Sequence, residues 1–519
     1  MRAPWRLFSP LHFLNWGTCW LVLGLVAGLA LGRLPLPAAG LLMGGIVVLI
    51  AVFIEPLIGL ALALLASPFG ALESIILGGS SVDSGQLLLA LTLVAWLAHC
   101  IVRREIRLPR KGAQAGVMVA LTLFIGVGAL SLLNAPSLTH GFKELAKWVQ
   151  MGLVAWFVAN AAGRWADREA RTTVVVAVVL LVGVSQALIG IWQFGLRGHG
   201  PEHFGILGRF YRAYGTFEQP NPFAGFLGLM LPLALGLGIG KLGMKSPTCS
   251  FTHLLIPLLT TIVLATAILM SWSRGGWLGA AAGLTTMLFF LPRKRWVGGV
   301  LVLVLVAAGG LALQSGLMPA EIAGRLTSFA GYVHFQDVRG VDITPANYAV
   351  LERMAHWQAA LNMANEHPWL GVGMGNYEVA YANFALLNWP YPLGHAHNYY
   401  LNLLAETGLL GLAAYLGFWT AVVWLTAQVI GRASYPERGL ALGLMGAWVH
   451  LSVHHLVDKL YVNNIYLHLG ALLGILMLLR KLPASPQSHP GGWPHAGETL
   501  LSPRTRGELE GGHFCSHKG

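Results

Sequence analysis

Long apolar runs separated by short charged connections make up most of the chain. Each run is near the length of about 20 residues that a helix needs to cross a bilayer. The pattern therefore predicts an all-α, polytopic membrane protein with about 12–14 transmembrane helices. The predicted spans lie at about 13–32, 36–54, 56–70, 85–102, 113–133, 145–162, 172–193, 221–241, 254–272, 275–292, 297–313, 407–430, 440–457 and 462–479.

One long polar stretch, residues 314–400, interrupts this pattern. Irregular backbone finds no water to bond in the hydrocarbon region, so such a stretch should lie outside the bilayer or line a wet cavity. It contains Arg325, Arg353, His395 and His397. We therefore expect the chemistry of the protein to lie here.

The composition argues against a soluble protein. The 519 residues are 55% hydrophobic and only 10% charged, whereas soluble domains are typically about 25% charged. The formal net charge of +12 would suggest nucleic-acid binding in a soluble chain, but Lys and Arg gathered on the cytoplasmic side of a membrane explain it better. We therefore predict membrane lipids, and no nucleic acid, among the partners. The four cysteines are scattered and lack the spacing of a metal or redox site.

The basic loops set the predicted orientation. Short connections rich in Lys and Arg, at 103–111 and 293–295, mark the cytoplasmic face. With the N-terminus inside, the loops at about 197–220, 273–274 and 314–400 fall together on the outer face. Three polar segments that are far apart in the sequence can therefore build one site.

The same pattern divides the chain into three regions. Residues 1–200 are predicted to form N-terminal transmembrane helices, and residues 201–480 a second membrane region that includes the extracytoplasmic loop 314–400. Residues 481–519 are rich in Pro, Gly, Ser and His and have few large apolar side chains. This composition predicts a disordered cytoplasmic tail.

The first outer segment carries two arginines before a turn. The residues from Gly215 to Pro222 are typical of a fixed re-entry turn, with Asn221 as the cap of the next helix and Pro222 at its first position. An ordinary turn explains these residues but not Arg209 and Arg212, because positive charge is otherwise sparse on the outer side. An anion-binding role for Arg212 is the competing interpretation.

The second outer segment places Arg274 between two apolar runs with almost no room for a loop. An arginine near mid-membrane costs at least about 2.5–3.5 kcal/mol, so Arg274 should face a cavity or an anionic partner. The alternative is an interfacial arginine that reaches lipid headgroups beside Trp272 and Trp277.

The first candidate residues of the long polar stretch lie on a predicted helix. Arg353 and His356 lie on a segment with helical character, which breaks at Pro368. The glycines that follow, Gly371 and Gly373 among them, lack the spacing of a nucleotide-binding loop and have no preceding strand, so they predict a turn.

Two histidines end the polar stretch. A histidine of near-neutral pKa at the mouth of a cavity, such as His397, is a natural general base; a histidine that caps a helix or binds a headgroup is the alternative. His395 and His397 are two residues apart and so do not share a helical face. As metal ligands they would need carboxylate or histidine partners that the sequence does not reveal.

A further polar cluster, His450, His454, His455 and Asp458, lies at the end of a late span. His450 and His454 are at i and i+4 and share one helix face. Ionisable groups inside a membrane are candidates for function, which leaves a proton relay or metal site open. Interfacial positions, or hydrogen bonds between helices, are the favoured interpretation.

Four sequence blocks resemble the signatures of the O-antigen ligase/polymerase superfamily. They occur in that family's order and span Arg212 to about Leu416. The blocks are Arg212-x-x-Gly-Thr-Phe-x-x-Pro-Asn, Ser-Arg274-Gly-Gly, His-Pro-Trp-Leu-Gly-Val-Gly, and His397-Asn-Tyr-Tyr-Leu followed by Leu-Ala-Glu406-Thr-Gly-Leu-Leu-Gly.

The resemblance implies a glycosyltransferase of the bacterial inner membrane whose active site faces outward, with residues 201–480 as its catalytic region. Members transfer a glycan from an undecaprenyl-pyrophosphate carrier to a hydroxyl of a glycan or lipid-glycan acceptor, as ligase or as polymerase, with inversion and without a metal or other cofactor. Arg212 and Arg274 would grip the pyrophosphate, and His397 would activate the acceptor hydroxyl. Weaker candidates, for positioning the substrate or holding the loop, are Arg353, Glu406, Asn398 and Arg209.

A transporter of polysaccharide or of its lipid carrier, without transferase activity, is the alternative function. It too would need many spans and a few buried charges. The sequence reveals no inverted internal repeat, which slightly disfavours transport.

Overall fold

The computed structural model describes residues 32–76, 82–104, 113–160, 167–244, 251–327, 337–344 and 347–479, with isolated positions between 21 and 28. The predicted tail at 481–519 lies outside the described residues, and so does almost all of the predicted first span at 13–32. The described helices all belong to one compact unit, Met1–Pro483.

Helices dominate the described part of the chain, and the strands are limited to one two-stranded antiparallel hairpin, β1 (Gly205–Ile206) and β2 (Phe210–Tyr211). In order, the helices are α1 (Leu36–Ile54), α2 (Pro56–Ala66), α3 (Gly70–Ile76), α4 (Ser84–Arg103), α5 (Ala113–Ser131), α6 (Leu138–Asn160), α7 (Arg168–Gly195), α8 (Pro220–Leu242), α9 (Phe251–Met270), α10 (Arg274–Phe290), α11 (Arg295–Gln314), α12 (Ala320–Thr327), α13 (Tyr348–Glu366), α14 (Tyr377–Ala380), α15 (Tyr399–Arg432), α16 (Glu437–His454) and α17 (Ile465–Leu479).

The predicted polytopic helical membrane fold is confirmed. Among the described residues, eight helical segments are long and apolar enough to cross a membrane. Two shorter apolar helices, Leu254–Met270 and Ile465–Leu479, accompany them. The total of 12–14 spans and the division near residue 200 stay predictions. The eight segments are Leu36–Ile54, Pro56–Ile76, Ser84–Arg103, Gln114–Asn134, Arg168–Gly195, Pro220–Leu242, Arg295–Gln314 and Tyr399–Arg432.

The helices differ in how much of their surface meets other helices. Only Val52 is buried on α1, so nearly all of its apolar surface is free to face lipid. Every residue of α17 is buried, and α8 is buried along most of its length. A helix that is apolar all round and buried all round belongs inside a bundle. α8 and α17 therefore form the centre on which the site is built.

Glycines allow α8 and α16 to approach closely. A Cβ atom at Gly236 would overlap the carbonyl oxygen of Gly439 and lie 2.9 Å from the backbone nitrogen of Gly443. Small residues at helix contacts let backbones approach in this way, which is the usual route to tight packing in membranes. This contact fixes α16, whose C-terminal end reaches the candidate site.

We expect Gly236→Ala to destabilise the folded protein by about 1–3 kcal/mol, the usual cost of overpacking. The methyl group would meet backbone atoms, which cannot rotate away. Gly238→Ala is the matched control on the same helix, because its Cβ would lie 3.6 Å from the nearest atom, Cβ of Pro257. Thermal unfolding of both variants in detergent checks this, and equal melting temperatures would contradict the close approach.

Arg438 ties α16 to the ends of two other helices. Its buried guanidinium donates to the carbonyl oxygens of Phe290 at 3.0 Å, Leu291 at 2.9 Å and Ile430 at 3.2 Å. Carbonyls at helix C-termini lack partners within the helix and carry partial negative charge. One arginine thus satisfies the ends of α10 and α15 and holds α16 against both.

A break in α15 joins two of the sequence blocks. Gly408 has φ 64° and ψ −166°, which interrupts the helix. The carbonyl of Ala405 accepts from the backbone N–H of Val372 at 2.9 Å, and the N–H of Leu409 donates to the carbonyl of Pro368 at 2.8 Å. The backbone groups freed by the break are therefore satisfied by the loop, as buried irregular backbone in a membrane protein requires.

The turn predicted in this loop is confirmed. Gly371, Gly373 and Gly375 all have positive φ, at 64°, 100° and 73°. A Cβ at Gly373 would lie 2.7 Å from Cα of Ala135, so the loop also packs tightly on the chain before α6. Glycine is the residue that adopts such angles without strain.

Candidate functional site

The connection between α9 and α10 is one tight turn. Trp272 adopts the left-handed region with φ 54°, and Ser273 caps α10 by accepting from the N–H of Gly276 at 3.2 Å. The hydroxyl of Ser271 accepts from the N–H of Ser273 at 3.1 Å. Ser271 and Ser273 therefore hold the turn, and Ser273 satisfies the N–H groups of Gly276 and Trp277 at the start of α10.

Two arginines are held by the carbonyls of this turn. Arg212 Nε donates to the oxygen of Ser271 at 2.9 Å, and Arg325 Nη2 donates to the oxygen of Trp272 at 3.0 Å. Arg325 comes from α12, far along the chain. These hydrogen bonds use one edge of each guanidinium and leave further N–H groups for another partner.

The predicted helix cap at Asn221 is wrong. Helix α8 begins at Pro220 with Gln219 as its N-cap, so Asn221 lies inside the first turn. Its side-chain oxygen accepts instead from the hydroxyl of Ser273 at 2.8 Å and lies 3.5 Å from Arg212 Nη2. The proline at 220 starts the helix, since its ring presets φ and needs no amide partner. Asn221 is thereby free to brace the turn.

A cavity of about 380 Å³ opens beside the turn, and four arginines line it. Arg212 and Arg274, which the sequence singled out, lie in it together. Arg353, a weaker candidate, also lines it. We call it the arginine cavity; its lining residues are Arg212, Asn221, Arg274, Gly275, Leu278, Arg325, Ala349, Arg353, His454 and Val457.

The arginines repel one another across the cavity. Burial, followed by the charges of Arg325, Arg353 and Arg274, lowers the pKa of Arg212 to about 10. Burial and the same kind of repulsion lower the pKa of Arg325 to about 10. Both stay charged at neutral pH, and no acidic side chain is among the described residues that line the cavity. The cavity therefore favours an anion, and most of all a polyanion with geometry suited to guanidinium forks.

His397 is not among the residues that line the arginine cavity. It forms a group with His395 and Asp458, and Asp458 directly follows Val457, which does line the cavity. Its ring contacts two other histidines, with centroids 4.5 Å from His395 and 5.8 Å from His356. Burial, then the neighbouring charges of His395 and Arg353, lowers the pKa of His397 to about 3, against the opposing effect of Asp458. The imidazole is therefore neutral at physiological pH and able to accept a proton.

Asp458 brings a carboxylate to the histidine pair. His395 Nδ1 accepts from the backbone N–H of His397 at 3.0 Å, so in neutral His395 the proton sits on Nε2. That nitrogen lies 3.5 Å from Asp458 Oδ1. The carboxylate thus faces a ring whose tautomer is fixed, and it supplies negative charge next to His397.

These three residues, His395, His397 and Asp458, are the group among the described residues whose atoms could together hold a metal ion. The hydrogen bond at His395 Nδ1 argues against this use. A histidine that ligates a metal through Nε2 carries its proton on Nδ1 and donates it to an acceptor, whereas Nδ1 here faces an N–H donor. The arrangement fits a hydrogen-bonded pair better than a metal centre.

Three of the four weaker candidates, Arg209, Asn398 and Glu406, occupy structural positions. Arg209 is exposed on the β1–β2 turn with its guanidinium 4.7 Å from the ring centre of Phe210, away from the cavity lining. Asn398 is the N-cap of α15 and accepts from the N–H groups of Tyr400 and Leu401. Glu406 is buried and accepts from the N–H of Tyr377 at 3.3 Å, which is the loop-holding position that the sequence suggested for it.

The late histidine cluster is buried between helices. His450 Nε2 lies 3.1 Å from the carbonyl oxygen of Gly225, which is the interhelical hydrogen bond that the sequence analysis favoured. His455 Nδ1 lies 3.1 Å from the hydroxyl of Tyr415. His454 alone of the three lines the arginine cavity.

Sequence reasoning missed Arg325, His454 and Asp458 as parts of the candidate site. Arg325 gave one weak signal, as one of the arginines in the polar stretch. Asp458 and His454 were grouped with a helix end, and only the packing of α16 against α10 and the loop at 395–397 shows what they face.

The fold and the cavity define a polytopic membrane protein with an arginine-lined cavity and, apart from its lining, a pair of histidines. Residues 259–416 match the family model described as O-antigen ligase. The chain is also 24% identical over 384 residues to the teichuronic acid biosynthesis protein TuaE of Bacillus subtilis (strain 168), covering 72% of this chain and 74% of that protein. Both comparisons support the resemblance to the O-antigen ligase superfamily and a role of the polysaccharide ligase or polymerase type.

Proposed function

We propose that this protein transfers a glycan from an undecaprenyl-pyrophosphate carrier to an acceptor hydroxyl, with inversion at the anomeric carbon. The observation that carries the proposal is the arginine cavity, whose lining residue Val457 directly precedes Asp458 in the group of His395, His397 and Asp458. A pyrophosphate diester is a compact polyanion, and arginine binds phosphate oxygens in pairs of parallel hydrogen bonds. The site would lie at the outer face of the bacterial inner membrane, where the predicted topology places the loops that build it.

The reaction needs one bond to form and one to break. The acceptor oxygen would attack the anomeric carbon while its proton passes to His397. The bond from that carbon to the phosphate oxygen would break, and its electron pair would leave with the pyrophosphate. Arg212 and Arg274 would stabilise the charge that grows on the leaving group, most effectively because the cavity is partly shielded from water.

The electrostatics suggest that binding of the donor makes His397 a stronger base. Arg353 is one of the charges that lower the pKa of His397, after burial and His395. An anionic donor in the cavity would offset the positive charge of Arg353. The pKa of His397 would then rise once the donor is bound. This suits a general base that acts only in the complex with the donor.

We expect this effect to be visible in the pH dependence of transfer. Because the pKa of His397 is lowered to about 3, kcat/KM should show no acidic limb near pH 6.5, the ordinary pKa of histidine. The acidic limb of kcat should lie at higher pH than that of kcat/KM, because kcat reports the donor complex. Initial rates between about pH 4.5 and 8 check this. A fall of kcat/KM centred near pH 6.5 would contradict a buried neutral base.

The direct test is reconstitution of the purified full-length protein with a defined undecaprenyl-pyrophosphate oligosaccharide. We expect mass analysis to detect free undecaprenyl pyrophosphate and an acceptor heavier by one glycan. Adding either a second donor glycan or a lipid A core as acceptor separates polymerisation from ligation, and including EDTA tests metal independence. If no glycan is joined while the carrier crosses vesicles, the protein is a transporter and the proposal fails.

A further inference from the structure

His454 is an unpartnered polar group in the wall of the arginine cavity. The residue is fully buried, with 0% of its surface exposed. Neither Nδ1 nor Nε2 has a hydrogen-bond partner among the described residues. Buried polar side-chain atoms are hydrogen-bonded in the large majority of cases, so each exception needs an explanation. The cavity that His454 lines supplies a place for the missing partner.

The N-terminus of α10 opens at the same place. Arg274 and Gly275 occupy its first two positions, and both line the cavity. A Cβ at Gly275 would lie only 3.2 Å from His454 Nε2, so the absence of a side chain there brings the imidazole against the first turn of the helix. Ser273 already accepts from the N–H groups of Gly276 and Trp277, so it is chiefly the helix dipole that favours an anion such as phosphate at this end.

Charge decides what kind of group can fill this position. His454 faces a cavity lined by four guanidinium groups, so a cation is excluded. The imidazole ring has an N–H to donate in either tautomer. His450, the neighbour on the same helix face, is already hydrogen-bonded to Gly225 and lies with its ring centre 5.6 Å from that of His454. The open partner must therefore be an acceptor that enters the cavity.

We propose that His454 and the first turn of α10 form a subsite for one phosphate of the pyrophosphate donor. His454 donates a hydrogen bond to a non-bridging phosphate oxygen and keeps its proton throughout. The arginines then bind the remaining oxygens. This subsite rests on the proposed function, because it assigns the pyrophosphate to the same cavity. It also gives the leaving group a fixed orientation with its second phosphate directed away from the helix.

The test measures phosphate binding apart from transfer. The full-length protein in nanodiscs is titrated with inorganic pyrophosphate and with undecaprenyl pyrophosphate. We expect His454→Leu to weaken the binding of both by about tenfold to a hundredfold, as for a hydrogen bond to a charged group. We expect His454→Gln, whose amide can still donate, to keep part of the affinity. His468→Leu is the matched control, since His468 is another buried histidine with an unpartnered nitrogen but does not line the cavity.

Stability separates this role from a purely structural one. His454→Leu removes an unpartnered imidazole, so the ligand-free melting temperature should not fall, while the increase caused by pyrophosphate should shrink. A lower ligand-free melting temperature with unchanged pyrophosphate affinity would overturn the subsite. If the wild-type protein transfers no glycan but pyrophosphate binding still depends on His454, the subsite stands and the proposed transferase fails. If the wild-type protein transfers glycan and His454→Leu binds pyrophosphate normally, the proposed transferase stands and the subsite fails.

Discussion

His397→Ala is expected to reduce glycan transfer by about a hundredfold to ten-thousandfold, the range that a general base contributes. The variant should still fold and insert, because the ring makes aromatic contacts with His395 and His356 but ties no helix to another. It should also still bind the donor, since the arginine cavity does not include His397. The measurement is the single-turnover rate with the lipid-pyrophosphate oligosaccharide and an excess of acceptor.

His367→Ala provides the matched control for this prediction. His367 belongs to the same polar stretch and is half-exposed beside Glu366, at 3.7 Å, away from the cavity lining. Its backbone, not its ring, holds the following turn through the N–H of Gly371. We expect nearly normal transfer. Full activity of His397→Ala, or an equal loss in both variants, would show that the assigned base is wrong.

The proposed base also explains why Asp458 lies where it does. A carboxylate next to two histidines opposes the effect of burial and so keeps the pKa of His397 from falling further. The fixed tautomer of His395 directs its N–H towards that carboxylate. Asp458 would therefore act through the histidines as a positioning residue.

The membrane fold could be predicted from the sequence because hydropathy is a local signal. The run from 36 to 54 and the helix Leu36–Ile54 coincide, and the span predicted near 221–241 is the helix Pro220–Leu242. The start of α6 was misplaced, however. This helix begins at Leu138, seven residues before the predicted span, because its first turns carry Lys143 and Glu144 and are not apolar.

Two of the cavity arginines could be predicted from the sequence because they are charged residues next to apolar spans. The residues that they contact could not be predicted in this way. Arg212 and Arg274 stood out because an isolated guanidinium near hydrocarbon needs an anion or a cavity. Arg325 lies on a short helix in a long polar loop, where an arginine gives no signal in the sequence. Only the structure shows that it donates to the backbone oxygen of Trp272. Contacts such as His395 with Asp458 depend on how a loop and a helix end pack, and periodicity carries no information about that.

Arg212→Lys is expected to lose about a hundredfold to a thousandfold in transfer although it keeps the positive charge, by analogy with the removal of one electrostatic stabiliser. Arg212 donates through Nε to Ser271 and approaches Asn221 through Nη2, which sets the guanidinium across the mouth of the turn. An ammonium group has no Nε donor and no planar fork. Lysine could therefore bind the carbonyl or the pyrophosphate, but not both with the same geometry.

The matched control for that substitution is Arg209→Lys, three residues earlier on the same outer segment. Arg209 is exposed and contacts Phe210 instead of the cavity, so its replacement should leave kcat and KM for the donor nearly unchanged. Steady-state kinetics with varied donor distinguishes the two positions. A similar loss in both variants would mean that the contact of Arg212 with Ser271 has no specific role in catalysis. A loss confined to Arg212→Lys would instead tie catalysis to the guanidinium that the oxygen of Ser271 holds in the turn between α9 and α10.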